Sequence, residues 1–189
     1  MSDLAQAALE RARAAEFAYS SDPEVGRVLA MLSARVPIGG RILEIGTGTG
    51  VGLAWLVDGL RGRTDVAVTS IEVDPSLAAV AAELDWPPHV ELITGDVLPL
   101  LTERRDTFDL IFADAPSGKW TNLDATIRAL HPLGQLLVDD MTPSRWLDEQ
   151  HRAATAAVRT ALEAHADLVS VEMSVGTGII LSTKRAVTG

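Results

Sequence analysis

The sequence has 189 residues, a formal net charge of −10 at pH 7 and no cysteine. This length suits one α/β domain with its own buried core, and the absence of thiols excludes disulfide frameworks, zinc–thiolate sites and cysteine nucleophiles. The acidic balance disfavours a surface that follows the phosphate backbone, so we do not expect nucleic acid as a partner. The N-terminal segment lacks the apolar core of a secretory signal, and no stretch reaches about 18 uncharged apolar residues, so we expect a cytoplasmic protein with no membrane partner.

Two helices are predicted over residues 1–36. The first covers about 16 residues that are rich in alanine, leucine, glutamate and arginine. The second begins at Pro23, where Asp22 can cap it, and runs to about Arg35 with apolar residues at helical spacing. The sequence leaves open whether the first helix covers a site or forms a homodimer contact.

Short apolar strands alternate with helices over residues 41–185, which predicts βαβ units and a parallel sheet covered on both faces. Strands are predicted at Arg41–Ile45, Val66–Ile71, Val90–Ile93, Phe108–Ala113 and Gly134–Val138. Helices are predicted at Val51–Leu60, Pro75–Leu84, Val97–Glu103, Leu123–Leu130 and Ser144–His165.

Two further strands, Leu168–Ser174 and Gly178–Thr183, are joined by only three residues. A connection this short allows only an antiparallel pair. We therefore predict a single domain with a Rossmann-like, doubly wound α/β fold. Its seven-stranded sheet is mostly parallel, and the antiparallel C-terminal hairpin supplies a reversed strand at the edge.

The strongest local motif is a glycine turn after the first strand, formed by Gly46, Thr47, Gly48 and Gly50. Glycines at such a turn let the backbone approach a ligand, and the following helix N-terminus offers free N–H groups. Glu44 ends the strand, where its carboxylate would repel a pyrophosphate but not a ligand that carries an ammonium and a sulfonium. The motif therefore predicts S-adenosylmethionine (SAM) as the cofactor; the alternative is a turn that serves packing alone.

Acidic residues also follow the second and third strands. Glu72 lies where a carboxylate can accept both ribose hydroxyls, and the alternative is a solvated loop acid. Asp74 precedes a proline and is predicted to cap a helix. Asp96 is predicted either to accept from the adenine amino group or to cap the next helix. The predicted cofactor contacts in these two loops are Glu72, Val73, Gly95, Asp96 and Val97.

Three carboxylates are predicted to meet where the fourth and fifth strands end. Asp114 ends the fourth strand, at the edge where open α/β sheets bind ligands, and it is also predicted to contact the cofactor. Asp139 and Asp140 end the fifth strand. A divalent cation such as Mg²⁺, held by these oxygens, would relieve their repulsion; the alternative is that one points away or caps a helix. Asp109 is predicted to be structural.

The ordered motifs resemble the catechol O-methyltransferase-like family of class I SAM-dependent methyltransferases. The likeness runs from about Ser21 to Arg185 and rests on LEIGTGTG, SIEVDP, TGDVLPLL, FDLIFADAPSGKW, LLVDD and GTGIILSTKR. The resemblance implies that the glycine turn holds the methionine part of SAM, that Glu72 binds the ribose and that Asp96 lies near the adenine.

The resemblance also assigns the three divalent-metal positions to Asp114, Asp139 and Asp140, where the family usually has two aspartates and an asparagine. The lysine that usually lies three residues after the first metal aspartate is Ser117 here, and Lys119 is two residues further on. The tryptophan-glycine pattern that commonly follows the metal asparagine is also missing. These departures leave metal dependence and the identity of the base open.

The predicted reaction is in-line transfer of the SAM methyl group to a hydroxyl oxygen of a small phenolic or catechol-like acceptor, with Asp114 and Lys119 as catalytic residues. Alternatives are a nicotinamide-dependent oxidoreductase, a tRNA or other nucleic-acid methyltransferase, and a SAM-binding module without catalysis. Trp146 either lines the acceptor pocket or packs at the surface. Solvated or capping roles are predicted for the histidines, His89, His131, His151 and His165.

Overall fold

The N-terminal segment forms two helices in the computed structural model, which describes residues 2–103, 107–142 and 148–186. Helix α1 (Asp3–Ala14) begins at Ser2, whose hydroxyl accepts a hydrogen bond from the Ala5 backbone N–H. Helix α2 (Pro23–Ala34) begins with proline in its first turn, as predicted. The predicted capping by Asp22 is wrong in its detail, because the residue holds the N-cap position but its side chain makes no capping hydrogen bond.

The sheet contains seven strands in the order β3-β2-β1-β4-β5-β7-β6. The first five strands are parallel, and β7 is antiparallel to both β5 and β6. The strands are β1 (Arg41–Ile45), β2 (Ala67–Glu72), β3 (Val90–Thr94), β4 (Phe108–Ala113), β5 (Leu130–Val138), β6 (Leu168–Met173) and β7 (Ile179–Lys184).

The predicted position of the reversed strand at the edge is wrong. Strand β7 lies between β5 and β6, and β6 forms the edge. Consecutive apolar residues of β7, Ile179 and Ile180, are both buried, which requires cover on both faces of the strand. Strand β6 instead exposes Val169 and Val171, and it therefore tolerates the outer position.

The remaining helices alternate with the strands along the chain, and their bounds are close to those predicted. Strand β5 begins at Leu130, earlier than predicted, because a register shift opposite Phe108 and Leu110 accommodates the additional residues. The predicted start of the last helix, at Ser144, lies outside the described residues, as does Trp146. The short α6 was not predicted. The helices are α3 (Val51–Leu60), α4 (Pro75–Ala82), α5 (Val97–Thr102), α6 (Pro116–Lys119), α7 (Leu123–Arg128) and α8 (Glu149–Ala164).

The apolar core forms two layers, one on each face of the sheet. One cluster packs α1, α2 and α3 against alternate strand residues such as Ile42, and the other packs α5, α7 and α8 against neighbours such as Leu43. Helices α2 and α3 cross closely, since a Cβ at Gly59 would lie 2.1 Å from the Ala30 carbonyl oxygen. None of the described helices combines the length and apolar character needed to cross a membrane.

Candidate functional site

A cavity of about 460 Å³ opens at the carboxyl edge of β1, β2, β4 and β5, and its volume is in the range of small-molecule sites. We call it the main cavity. One wall consists of the glycine turn with Glu72 and Val73, and the opposite wall carries most of the polar side chains. The polar wall includes Asp114, Lys119, Trp120, Asp140 and His151.

The backbone of the glycine turn explains why glycines occupy it. Gly46 has a φ of 98° and Gly50 a φ of 91°, in the left-handed region that other residues rarely adopt. A Cβ at Gly46 would also lie 2.9 Å from the Asp114 carbonyl oxygen, so the turn packs directly against the end of β4. Gly50 is the N-cap residue of α3, which leaves the first N–H groups of that helix at the cavity.

Glu72 lies on the cavity wall where β2 ends, as predicted for a ribose-binding residue. Its Oε2 accepts from the Gly48 backbone N–H at 2.8 Å, and its Oε1 accepts from the Asp74 N–H at 2.9 Å. A carboxylate offers about four acceptor sites, so two more hydrogen bonds can be accepted from a ligand. Asp74 caps α4 through the Ser76 N–H, as predicted.

Glu44 does not occupy the position that was predicted for a cofactor contact. Its side chain is fully buried beneath the turn, outside the main cavity, where the Ser70 hydroxyl donates to it and Thr47 lies 2.6 Å from that hydroxyl. Burial raises the pKa of Glu44 to about 8, so the carboxyl group is protonated at neutral pH. A protonated Glu44 cannot repel a pyrophosphate ligand, contrary to the prediction from the sequence.

A side cavity of about 200 Å³ adjoins the main cavity and shares Gly46, Glu72 and Val73 with it. The predicted adenine contacts Gly95, Asp96 and Val97 line this side cavity. The Asp96 carboxylate caps α5 by accepting from the Leu98 N–H at 2.9 Å, and it also accepts from the Ser117 hydroxyl at 3.0 Å. Asp96 therefore combines the predicted position with the alternative capping role.

Lys119 lies among the three predicted metal-binding aspartates, and its side chain is 2% exposed. Its Nζ lies 3.7 Å from Asp114 Oδ1 and 3.4 Å from Asp140 Oδ2, and it donates to the Asp139 carbonyl oxygen at 3.2 Å. The backbone of α6 is kinked at Gly118, where φ is 88°, and this kink brings Lys119 inward. The lysine therefore reaches the site despite its shifted place in the sequence.

The aspartates lie close together as predicted, but one carboxylate oxygen of Asp139 is engaged in hydrogen bonds within the protein. Asp139 Oδ1 accepts from the Asp140 N–H at 2.7 Å and from the Thr177 hydroxyl. Burial raises the pKa of Asp139 to about 6 and raises that of Asp114 as well. Within the described residues, no group of three or more histidines, cysteines and acids is arranged to hold a metal ion. Because Mg²⁺ needs near-octahedral oxygen ligands at about 2.0–2.1 Å, this set with its ammonium does not fit Mg²⁺.

His151 is a cavity residue that the sequence analysis missed. It lies in the first turn of α8, where Asp148 accepts from its backbone N–H at 2.9 Å, and its ring packs edge-on against Trp120 at 4.6 Å. Burial lowers the pKa of the His151 imidazole. The residue is 31 positions from Trp120 in the chain, so only the tertiary fold brings the two rings together.

The segment between α1 and α2 also lies over the site, which the sequence left open. The Phe17 ring lies against Gly48, since a Cβ at that glycine would be 3.0 Å from the ring. The next residues separate the main cavity from a further cavity of about 320 Å³, which we call the adjoining cavity. The adjoining cavity is lined by Ala18, Tyr19, Ser20, Ser21, Asp22, Asp114, Asp139, Asp140 and Thr177.

The chain is similar in sequence to known methyltransferases. A family model described as a methyltransferase domain matches residues 43–141. A protein of Mycobacterium sp. (strain JLS), named "Putative O-methyltransferase", is 32% identical over 146 residues, which cover 73% of this chain and 65% of the relative. The chain thus spans about two thirds of the length of this relative.

Solved structures share the fold over nearly the whole chain. Cofactor-bound Rv0187 from MTB is 25% identical with a TM-score of 0.82, covering 99% of this chain and 92% of that one. The O-methyltransferase TomG from Streptomyces achromogenes, solved in complex with SAM, is 21% identical with a TM-score of 0.79, covering 98% and 91%. With more than half of its residues matched by the family model, the chain belongs to the methyltransferase domain family.

Proposed function

We propose that this protein is a SAM-dependent O-methyltransferase that methylates a hydroxyl oxygen of a small phenolic or catechol-like acceptor. The observation that carries the proposal is the connection between the cavities at one sheet edge. The main cavity runs from the glycine turn and Glu72 to Asp114 and Asp140, and the adjoining cavity begins at the same two aspartates. A donor in the first cavity and an acceptor in the second would meet there.

The cofactor would lie along the wall formed by β1 and β2. The backbone of the glycine turn would hold the methionine part, Glu72 would accept from the ribose hydroxyls, and the side cavity with Asp96 would receive the adenine. The SAM-bound state of TomG, which shares this fold, supports SAM as the ligand. Glu44 would act indirectly, by supporting the turn from below through Ser70 and Thr47.

The acceptor would enter the adjoining cavity, whose volume of about 320 Å³ suits a small aromatic molecule. The acceptor oxygen attacks the methyl carbon, the carbon–sulfur bond breaks, and the sulfur keeps the electron pair to leave S-adenosylhomocysteine. The acceptor oxygen would lie at Asp114 and Asp140, where the two cavities meet, and its proton would pass to the uncharged imidazole of His151, which lines the main cavity with these aspartates. Asp114 and Lys119 would position the acceptor oxygen, and no step requires a bound metal ion.

Isothermal titration tests the cofactor assignment, with SAM as ligand and a nicotinamide dinucleotide as control. We expect SAM to bind and Glu72→Gln to weaken binding. The matched variant Glu91→Gln, at an exposed position of β3, should leave the affinity unchanged. Binding of the dinucleotide without SAM would overturn the proposal in favour of an oxidoreductase.

Methyl transfer from labelled SAM to phenols, catechols and tRNA tests the acceptor class. We expect label in the small acceptors. Label found only in tRNA would show that the acceptor is a nucleic acid and not a small molecule. SAM binding without transfer to any acceptor would identify a binding module. A homodimer and a cytoplasmic location stay predictions from the sequence, and light scattering of the purified protein tests the first.

A further inference from the structure

We infer that the ammonium of Lys119 takes the place of a divalent cation, so that this site binds no Mg²⁺ and works with a built-in positive charge. The inference about cation binding concerns the three-aspartate cluster alone. Its consequence for methyl transfer rests on the proposed function. The two parts are therefore tested by different measurements.

The position of Nζ carries the inference. It lies 3.7 Å and 3.4 Å from carboxylate oxygens of Asp114 and Asp140 and 3.2 Å from the backbone carbonyl oxygen of Asp139, where β4 and β5 end. A divalent cation bound by the same oxygens would lie within a few ångströms of this ammonium, and the two positive charges would repel each other. The cluster has room for one of these cations at a time.

The surrounding structure keeps the lysine in this position. Gly118, which immediately precedes it, has a Cβ position only 2.8 Å from Ile45 Cδ1, so the α6 backbone lies directly on β1. The Thr126 hydroxyl donates to the Gly118 carbonyl oxygen at 2.8 Å and ties α6 to α7. Trp120 covers the ammonium from a further side, with its ring centroid 5.8 Å from Nζ. The backbone at Lys119 is therefore fixed against β1 and α7, and its side chain is 2% exposed among the aspartates.

The Asp139 side chain is also engaged in contacts within the protein. Asp139 turns one carboxylate oxygen toward Thr177 in the β6–β7 hairpin and toward its neighbouring backbone N–H. It offers Lys119 its backbone carbonyl instead of its side chain. The cluster thus presents a mixed carbonyl and carboxylate environment that suits N–H donors, as in other buried ammonium sites.

The presence of an ammonium in place of a metal ion affects which acceptors the site can methylate. A metal ion selects vicinal hydroxyls because two neighbouring oxygens can chelate it, whereas an ammonium can stabilise a single developing oxyanion by hydrogen bonding. Acceptors with one phenolic hydroxyl should therefore be methylated as readily as catechols. Mg²⁺ should not change this ratio.

Mn²⁺ binding, followed by electron paramagnetic resonance in the presence of SAM, tests the inference without any need for turnover. We expect the wild-type protein to leave the free Mn²⁺ signal unchanged. Lys119→Ala should open the cluster and remove free Mn²⁺ with a stoichiometry of one, while Lys119→Arg should not. Stoichiometric binding by the wild-type protein, competed by Mg²⁺, would overturn the inference, and this measurement needs no variant.

A Lys119→Ala protein that folds, as judged by circular dichroism, but binds no Mn²⁺ would also overturn the claim that the ammonium occupies a cation site. For the catalytic part, we expect equal initial rates with EDTA and with Mg²⁺. Loss of all activity in EDTA with recovery in Mg²⁺ would contradict it. Absence of methyl transfer under both conditions would count against the proposed function alone, because the Mn²⁺ result stands independently.

Discussion

Glu44→Gln should make the protein less sensitive to alkaline unfolding, because it replaces a buried ionisable group by a neutral one of the same shape. In the folded state burial raises the pKa of Glu44 from 4.5 to about 8. Since the folded pKa is the higher one, the stability that Glu44 contributes is fully present below pH 4.5 and is lost as the pH rises to about 8. At about 1.4 kcal/mol per pH unit, the free energy of unfolding lost between pH 4.5 and about pH 8 is about 5 kcal/mol.

Urea unfolding of both proteins between about pH 5.5 and pH 7.5 measures this effect, because contributions from all other groups cancel in the difference. The stability of Glu44→Gln relative to the wild type should grow by about 1.4 kcal/mol per pH unit in this range. Glu91→Gln, at an exposed position, should show no such slope. A difference between Glu44→Gln and the wild type that does not vary with pH would refute the buried, protonated state of Glu44.

Three further substitutions test other parts of the structure. Glu72→Gln should raise the Kd for SAM by about 10- to 100-fold in calorimetry, because it weakens a charged acceptor, and an unchanged Kd would place the ribose elsewhere. Gly59→Ala should lower the free energy of unfolding by about 1–2 kcal/mol, since overpacking against the Ala30 carbonyl outweighs a gain of about 1 kcal/mol in helix propensity; a stabilised variant in urea unfolding would contradict this. His151→Phe preserves packing on Trp120 but should lower kcat by about 100-fold with SAM affinity unchanged, and an unchanged kcat would exclude His151 as the base.

Local patterns were sufficient for most of the fold. The strands β1 and β4 and helix α3 have their predicted bounds, because each contains a mostly apolar run, such as residues 110–113, that ends at clear turn residues. The insertion of β7 between β5 and β6 was not predictable from the hairpin alone. A hairpin can pair with the sheet through either of its strands, and the choice depends on which strand is buried on both faces.

Some residues of the candidate site were predictable from local patterns, and others depend on the tertiary fold. Residues that follow directly from a strand end, such as Glu72 and Asp114, lie at the predicted edge. Lys119 depends on the local kink at Gly118, and the Asp139 contact with Thr177 joins residues 38 positions apart. The charge state of Glu44 depends on burial by surrounding residues that no local pattern reveals. Local patterns therefore predict which residues lie at this edge of the sheet, but not how their charges are balanced.

The central position of β7 has a consequence for how this domain is synthesised and folded. Strand β7 follows every other strand in chain order, yet both of its neighbours hydrogen-bond to it. Until residue 184 has left the ribosome, the apolar edge of β5 stays unpaired, and such an edge promotes aggregation. The same late strand follows Thr177, the partner of Asp139, so a nascent chain would contain the glycine turn and the loop after β2 before the adjoining cavity is complete. In refolding of the full chain, pulse-labelled hydrogen exchange should show simultaneous protection of β7 and of the β5 and β6 amides that pair with it.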